Sequence, residues 1–344
     1  MPAQPALVRG VRPLGHGPMD TPDPWLFCVY HKDHYPKGNA RLEAPRRGDG
    51  QDFDPSAPYR MYHGERVPGF PQHPHRGFET ITATMEGLVD HSDSLGNGGR
   101  YGDGDVQWMT AGSGVVHAEM FPLLNQQGDN PLRFFQLWLN LPRASKMSDP
   151  FFVMHWADEV PKLRADDGLS TITVFAGGMG DKVAALTPPP NSYAAREGSH
   201  VACWFVEMRP GGKVELPVAP ADVNRRIYVV EGQSVLVSTS AGGKAVGGKM
   251  MADLDASQEV ILSAEGDQDV HVLVLQGKPI GEPVVQHGPF VGNTRQDIMS
   301  AFSDYRETQF GGWPWPRDDY VFPADKGRFA LVGGKEIHPA AKSR

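Results

Sequence analysis

The residues of this chain best suited to chemistry are His73-Pro-His75 and, further on, His117-Ala-Glu119. Each pair is spaced i, i+2, which puts two side chains on the same face of a β-strand. If the two strands pair, three imidazoles and one carboxylate converge. That donor set suits divalent iron, manganese, nickel, copper or zinc and leaves coordination positions open. An isolated HxH pattern is as readily a turn with two exposed histidines. A second His/Glu pair on an apolar, glycine-rich strand argues instead for one bound divalent metal.

Such a site needs rigid strands around it, and the composition supplies them. The chain has 344 residues, 40 % of them apolar, which is enough for two packed domains. Its 40 glycines and 31 prolines fit many short strands joined by tight turns. The net charge of −8 gives no electrostatic footing for direct nucleic-acid binding. Cys28 and Cys203 are the only cysteines, far apart and outside any CxxC, so a disulfide framework is excluded and a reducing cytoplasm is the expected location. The N-terminus lacks a signal-peptide pattern, and no apolar run approaches membrane-spanning length, so no membrane association is expected.

Strand patterns dominate the chain. They are read at 78–85 (FETITATM), 106–109 and 132–141 in the first half, and at 170–175, 202–208, 213–216, 226–230, 234–238 and 271–275 in the second. Met85-Glu86-Gly87 is answered by Val230-Glu231-Gly232, each closing a strand that follows a Pro/Gly loop, which suggests a duplicated β-barrel. The second copy has no histidine where the first has His73 and His75. A polar, Pro-bounded stretch from Pro142 to Pro150 reads as a linker. A helix is predicted after Asn293 or Thr294, with Ile298, Phe302 and Tyr305 on one face. The aromatic-rich tail, with Trp313 and Trp315, is expected to pack on the body.

The stretch His73-Pro-His-Arg-Gly-Phe-Glu-Thr80, together with Gln107-Trp-Met-Thr-Ala-Gly112, His117-Ala-Glu-Met120 and Phe135-Gln-Leu-Trp-Leu-Asn140, resembles the pirin family of the cupin superfamily. The likeness returns at Pro279–Val284 and Gly288-Pro-Phe290 and covers most of 20–310. It implies an all-β fold of two cupin (jelly-roll type) barrels in tandem with a short C-terminal helix. The corresponding division is 1–145 for a metal-bearing domain, 146–165 for a linker, 166–310 for a domain without metal ligands, and 311–344 for the tail. It also implies one metal, most often Fe(2+), on His73, His75, His117 and Glu119. The general cupin pattern offers Glu79 as a rival ligand or as a group behind the ligands. The chain departs from a compact pirin in its tail after 310, and in the segment holding His31-Lys-Asp-His34 and 41–52, which reads as polar and loop-like.

Some pirins resemble quercetinases, which open a flavonol by 2,3-dioxygenation and release carbon monoxide. That resemblance implies a small phenolic substrate, dioxygen as co-substrate, and Glu119 as both ligand and catalytic base. Phe78, Trp108, Phe121 and Phe134 would then line a pocket for a flat ring, although a barrel core uses the same aromatics. Other pirins resemble iron-dependent coregulators, so a protein partner is the alternative to a substrate; a metal that only stabilises the barrel is a third reading. Gly112-Ser-Gly114 lacks the third glycine and the helix of a dinucleotide fingerprint and reads as a turn presenting His117. The remaining histidines, His16, His31, His63 and His91 among them, read as structural; only His31 and His34 flank a carboxylate, Asp33.

Overall fold

The computed structural model describes residues 6–15, 17–48, 56–60 and 63–340; His16 and the end of the polar 41–52 stretch lie outside them. The chain forms two compact units, and neither is contiguous in sequence. One joins Val29–Ala157 to Glu282–Arg344, the other Met1–Cys28 to Asp158–Gly281.

The first unit is built from two antiparallel sheets. A five-stranded sheet runs in the order Phe151–His155, Val106–Thr110, Phe78–Glu86, Asn130–Asn140 and Trp25–Tyr35. A six-stranded sheet runs Lys335–Ile337, Phe329–Val332, Gly98–Gly102, Leu88–Asp93, Val115–Met120 and Gly69–His75. Strand alternation decides which side chains face inward. Thr82 lies opposite Gln107 on one side and Gln136 on the other. Its hydroxyl donates across to Glu119 Oε1 at 2.9 Å, so this row of the five-stranded sheet faces the strand that carries His117.

The second unit has a seven-stranded sheet and a four-stranded one. Its interior is filled by Val174, Trp204, Val206, Ile227, Val229 and Val272, an aliphatic core with no ligating side chain among these residues. The suspected duplication is visible in backbone detail. Phe78–Glu86 and Asn224–Glu231 each carry a register shift in their last residues. Each is followed by a glycine at positive φ, +80° for Gly87 and +95° for Gly232, where a side chain would be strained.

Three sequence expectations are corrected. The contiguous division at 145 and 166 gives way to the interleaved units above. The expected linker 146–165 carries the strands Phe151–His155 and Lys162–Arg164, because Phe152 and Trp156 bury themselves in the aromatic cluster of the first unit. The segment around His31 is not a loop: Trp25–Tyr35 is an 11-residue strand whose inward positions include His31 and Asp33. Polar residues at inward positions hide the alternation. Asp33 is satisfied there by the backbone N–H of Arg60 at 2.8 Å and its Nε at 3.1 Å.

The helix Arg295–Thr308 forms as predicted. Thr294 is its N-cap, and Asp297 returns the bond in a capping box. Ile298 and Ala301 bury one face, with Phe302 and Tyr305 packed beside them. Among the described residues, no helix is long and apolar enough to cross a membrane.

Candidate metal centre

The strands Gly69–His75 and Val115–Met120 pair antiparallel, and His73 stands directly opposite His117. Pro71 falls at a register irregularity between Phe70 and His73, a place where a missing N–H costs no ladder bond. The result is a triad. One ring nitrogen from each of His73, His75 and His117 lies within 4.8 Å of the other two. Ring centroids are 4.7 Å apart for His73 and His75, 4.5 Å for His73 and His117, and 4.9 Å for His75 and His117.

Burial disfavours the cationic form of these rings and leaves them able to act as ligands. Desolvation lowers the pKa of His73 to about 4 and holds those of His75 and His117 well below the usual imidazole value, with the neighbouring histidines adding to the effect. All three are neutral at physiological pH, the form that offers a lone pair to a metal. His73 Nδ1 donates to Pro71 O at 2.8 Å, which leaves the lone pair of its Nε2 available to a metal. Both ring nitrogens of His117 and Nδ1 of His75 are buried without a hydrogen-bond partner among the described residues. A buried polar atom left this way is costly, and a cation among the three rings would satisfy it.

Glu119 is near the triad but outside the mutually close set. Its Oε2 lies 3.9 Å from His117 Nε2. Its carboxylate is held by Thr82 Oγ1 at 2.9 Å and by Gln136 Nε2 at 3.4 Å. Burial raises its pKa, partly countered by Thr82, His91 and Gln136.

Glu79 and Trp108 are placed elsewhere. Glu79 pairs with Thr110, and Trp108 with Ile81, in the alternate register from Thr82 and Gln107, so both occupy the sheet face turned away from the triad. Glu79 accepts a 2.6 Å bond from Thr110 Oγ1 there. Glu79 is therefore no rival ligand and Trp108 no pocket wall. The motif places Glu79 near His75 in sequence, but alternation along the strand sends its side chain outward.

Phe78, Phe121 and Phe134 do reach the triad's surroundings. Phe78 packs against His75 at 5.0 Å and against Trp138 at 4.4 Å. Phe134 and Phe121 are 5.6 Å apart, and Phe121 meets Phe70 at 6.0 Å, which in turn is 6.4 Å from His73. His31 stacks on Phe134 at 4.3 Å and is neutral, its pKa lowered to about 3 by burial and by Arg60 and His63. His63, Phe70 and His73 are only half-buried, so the site opens on that side.

His91, which reads as structural in the sequence, lies close to the triad. It lies cross-strand from Glu119, its ring 5.4 Å from that of His117, and Asp93 Oδ2 and Gln107 Nε2 flank its two nitrogens at 3.4 Å each. The spacing His91-Ser-Asp93 has the same i, i+2 form as the ligand pairs. Only the strand pairing shows that it faces the same interior.

Comparison with known proteins matches this architecture. Residues 49–139 match the Pirin family model and 203–311 the model for the pirin C-terminal cupin domain. A pirin-like protein of Caulobacter vibrioides is 36 % identical over 267 residues, 76 % of this chain and 89 % of the relative. Human pirin is 32 % identical over 266 residues, 77 % of this chain and 86 % of its own. A Pseudomonas aeruginosa protein provisionally named a quercetin 2,3-dioxygenase is 36 % identical over 251 residues, 70 % of this chain and 80 % of its own. The crystal structure of a quercetin 2,3-dioxygenase from Acinetobacter baumannii superposes with a TM-score of 0.67 at 29 % identity, covering 89 % of this chain and 96 % of that one. Two strand-rich units, matches to both domain models and relatives above 30 % identity along most of the sequence make this chain a member of the pirin family, with two cupin domains in tandem.

Proposed function

We propose that this protein is a non-haem iron dioxygenase acting on a flavonol or related phenol. The observation that carries the proposal is the triad of neutral imidazoles, with buried unpaired nitrogens, opening past half-buried His73 beside an aromatic wall. The likeness to proteins named quercetin 2,3-dioxygenase supports the reaction class. Bound there, a divalent metal would supply a Lewis-acid position for a substrate oxygen and a route for electrons to dioxygen.

The chain's own residues account for the rest. His73, His75 and His117 would hold the ion, and Glu119 would complete the set or stand beside it. The desolvated Glu119 carboxylate is the base placed to take the phenolic proton, and Thr82 and Gln136 fix its orientation. A cation among the imidazoles would lower its pKa again and keep it charged. Phe70, Phe121 and Phe134, with neutral His31 stacked on the last, form a wall suited to a flat aromatic ring.

The test is oxygen uptake by the iron-loaded protein with quercetin, followed by other phenols. Uptake stoichiometric with flavonol loss is expected. Fully loaded protein that consumes no oxygen with any flavonol would refute the reading and favour a regulatory role through a protein partner.

A further inference from the structure

The strand Gly69–His75 supplies two of the three imidazoles, yet it is the edge strand of its sheet. Pro71 and Pro74 remove two backbone donors from it, and its register with Val115–Met120 is irregular between Phe70 and His73. An edge strand so weakly laddered is poorly fixed by its neighbour alone.

The tail beyond the family models, which end at residue 311, lies along this edge. Gln72 N donates to Asp318 O at 2.9 Å, and Gln72 Nε2 donates to Asp318 Oδ1 at 2.9 Å. One tail residue thus takes both donors of the residue preceding His73. A second anchor reaches Leu88–Asp93, the strand paired with the other ligand strand. Trp315 Nε1 donates to Asp93 O at 2.8 Å, and Asp93 stands opposite His117 in the ladder. Trp313 packs on the cluster of Val67, Ala118 and Met120, which includes both neighbours of Glu119. Its own Nε1 closes a turn onto Arg317 O at 2.8 Å.

We infer that residues 313–318 are a strap that holds the ligand strands in register, and that Asp318 is a positioning residue for His73. Gln72 is engaged by Asp318 through both its backbone and side-chain nitrogens, so the strap bears on His73 through the strand that carries it. It slows the opening of the His73 side, where the centre is most accessible. The inference rests on the reading that the triad binds a metal.

The test uses full-length, cobalt-loaded protein and its rate of metal release to a chelator. Asp318→Ala and Gln72→Ala should each release cobalt about fivefold faster, the scale of one lost hydrogen bond. The double variant should be no faster than either single one, because both remove the same contact. Asp318→Asn keeps an acceptor oxygen and should restore the wild-type rate, and the melting temperature should fall by no more than about 4 °C in the alanine variants. Wild-type rates in the alanine variants, additive effects, or acceleration that Asn does not reverse would overturn the strap. A wild-type protein that takes up no cobalt would refute the metal reading instead. The strap would then be judged by amide exchange of 70–75: faster exchange in Asp318→Ala supports it, and unchanged exchange overturns it.

Discussion

The proposed function places two demands on Glu119 that one substitution can separate. As a ligand it needs an oxygen near the triad, and as a base it needs charge. Glu119→Gln preserves size and one coordinating oxygen while removing basicity. The three imidazoles should keep the metal with weakened affinity, while flavonol turnover falls about a hundredfold or more. Steady-state kinetics with metal analysis of the same sample separates the two effects, and wild-type turnover would place the base elsewhere. The histidines make a separate prediction about pH. Exposed imidazoles would begin to lose metal to protons below their ordinary value of 6.5, but His73 protonates only near pH 4, and His75 and His117 are also depressed. Proton competition at the rings should therefore be nearly absent between pH 7.5 and about 5, so metal affinity should fall by no more than one proton's worth there. A competition titration falling with a slope of two or three protons below pH 6.5 would show the rings to be solvated.

At the level of elements, the tail is bound into the first unit by a buried charge. Arg100 pairs with Asp90 through Nε and Nη2, both at 2.7 Å, and neither side chain is exposed. The same guanidinium donates to the carbonyls of Phe322, Pro323 and Lys326, and Phe322 N returns a bond to Asp90. Phe329–Val332 then adds a strand beside Gly98–Gly102. Arg100→Ala would leave Asp90 buried without its cation and three tail carbonyls without a donor. A loss of about 3–5 kcal/mol is expected by denaturant titration, and a change below 1 kcal/mol would mean the tail is held by packing alone. The packing of the tail was foreseen from Trp313 and Trp315, but not its attachment to Arg100, since nothing in the sequence pairs residue 100 with 322. Strands whose inward residues were apolar or threonine, such as Phe78–Glu86 and Ala202–Met208, were legible from alternation. Trp25–Tyr35 was not, because His31 and Asp33 face inward. The same limit explains the site. Parity within a strand puts His73 beside His75, and His117 beside Glu119, on one strand face each. The face given to Glu79, and the meeting of His91 with Glu119, depend on which strands pair and in what register.

Over the whole molecule, two similar sandwiches have taken different interiors. One unit places histidines, Glu119, Thr82 and Gln136 between its sheets; the other fills that space with valine, isoleucine, leucine and tryptophan. Among the described residues the group of side chains close enough to hold a metal is His73, His75 and His117, so a bound ion would belong to the first unit. The net charge of −8 gives the surface a general attraction for cations, but surface carboxylates hold them weakly and release them on dialysis. The most direct measurement is therefore the metal content of reconstituted, dialysed protein, wild type beside His75→Ala and His117→Ala. The account predicts about one ion per chain in the wild type and close to none in either variant, with folding of both variants verified by circular dichroism. Two ions per chain, or a full equivalent retained after loss of His117, would contradict it.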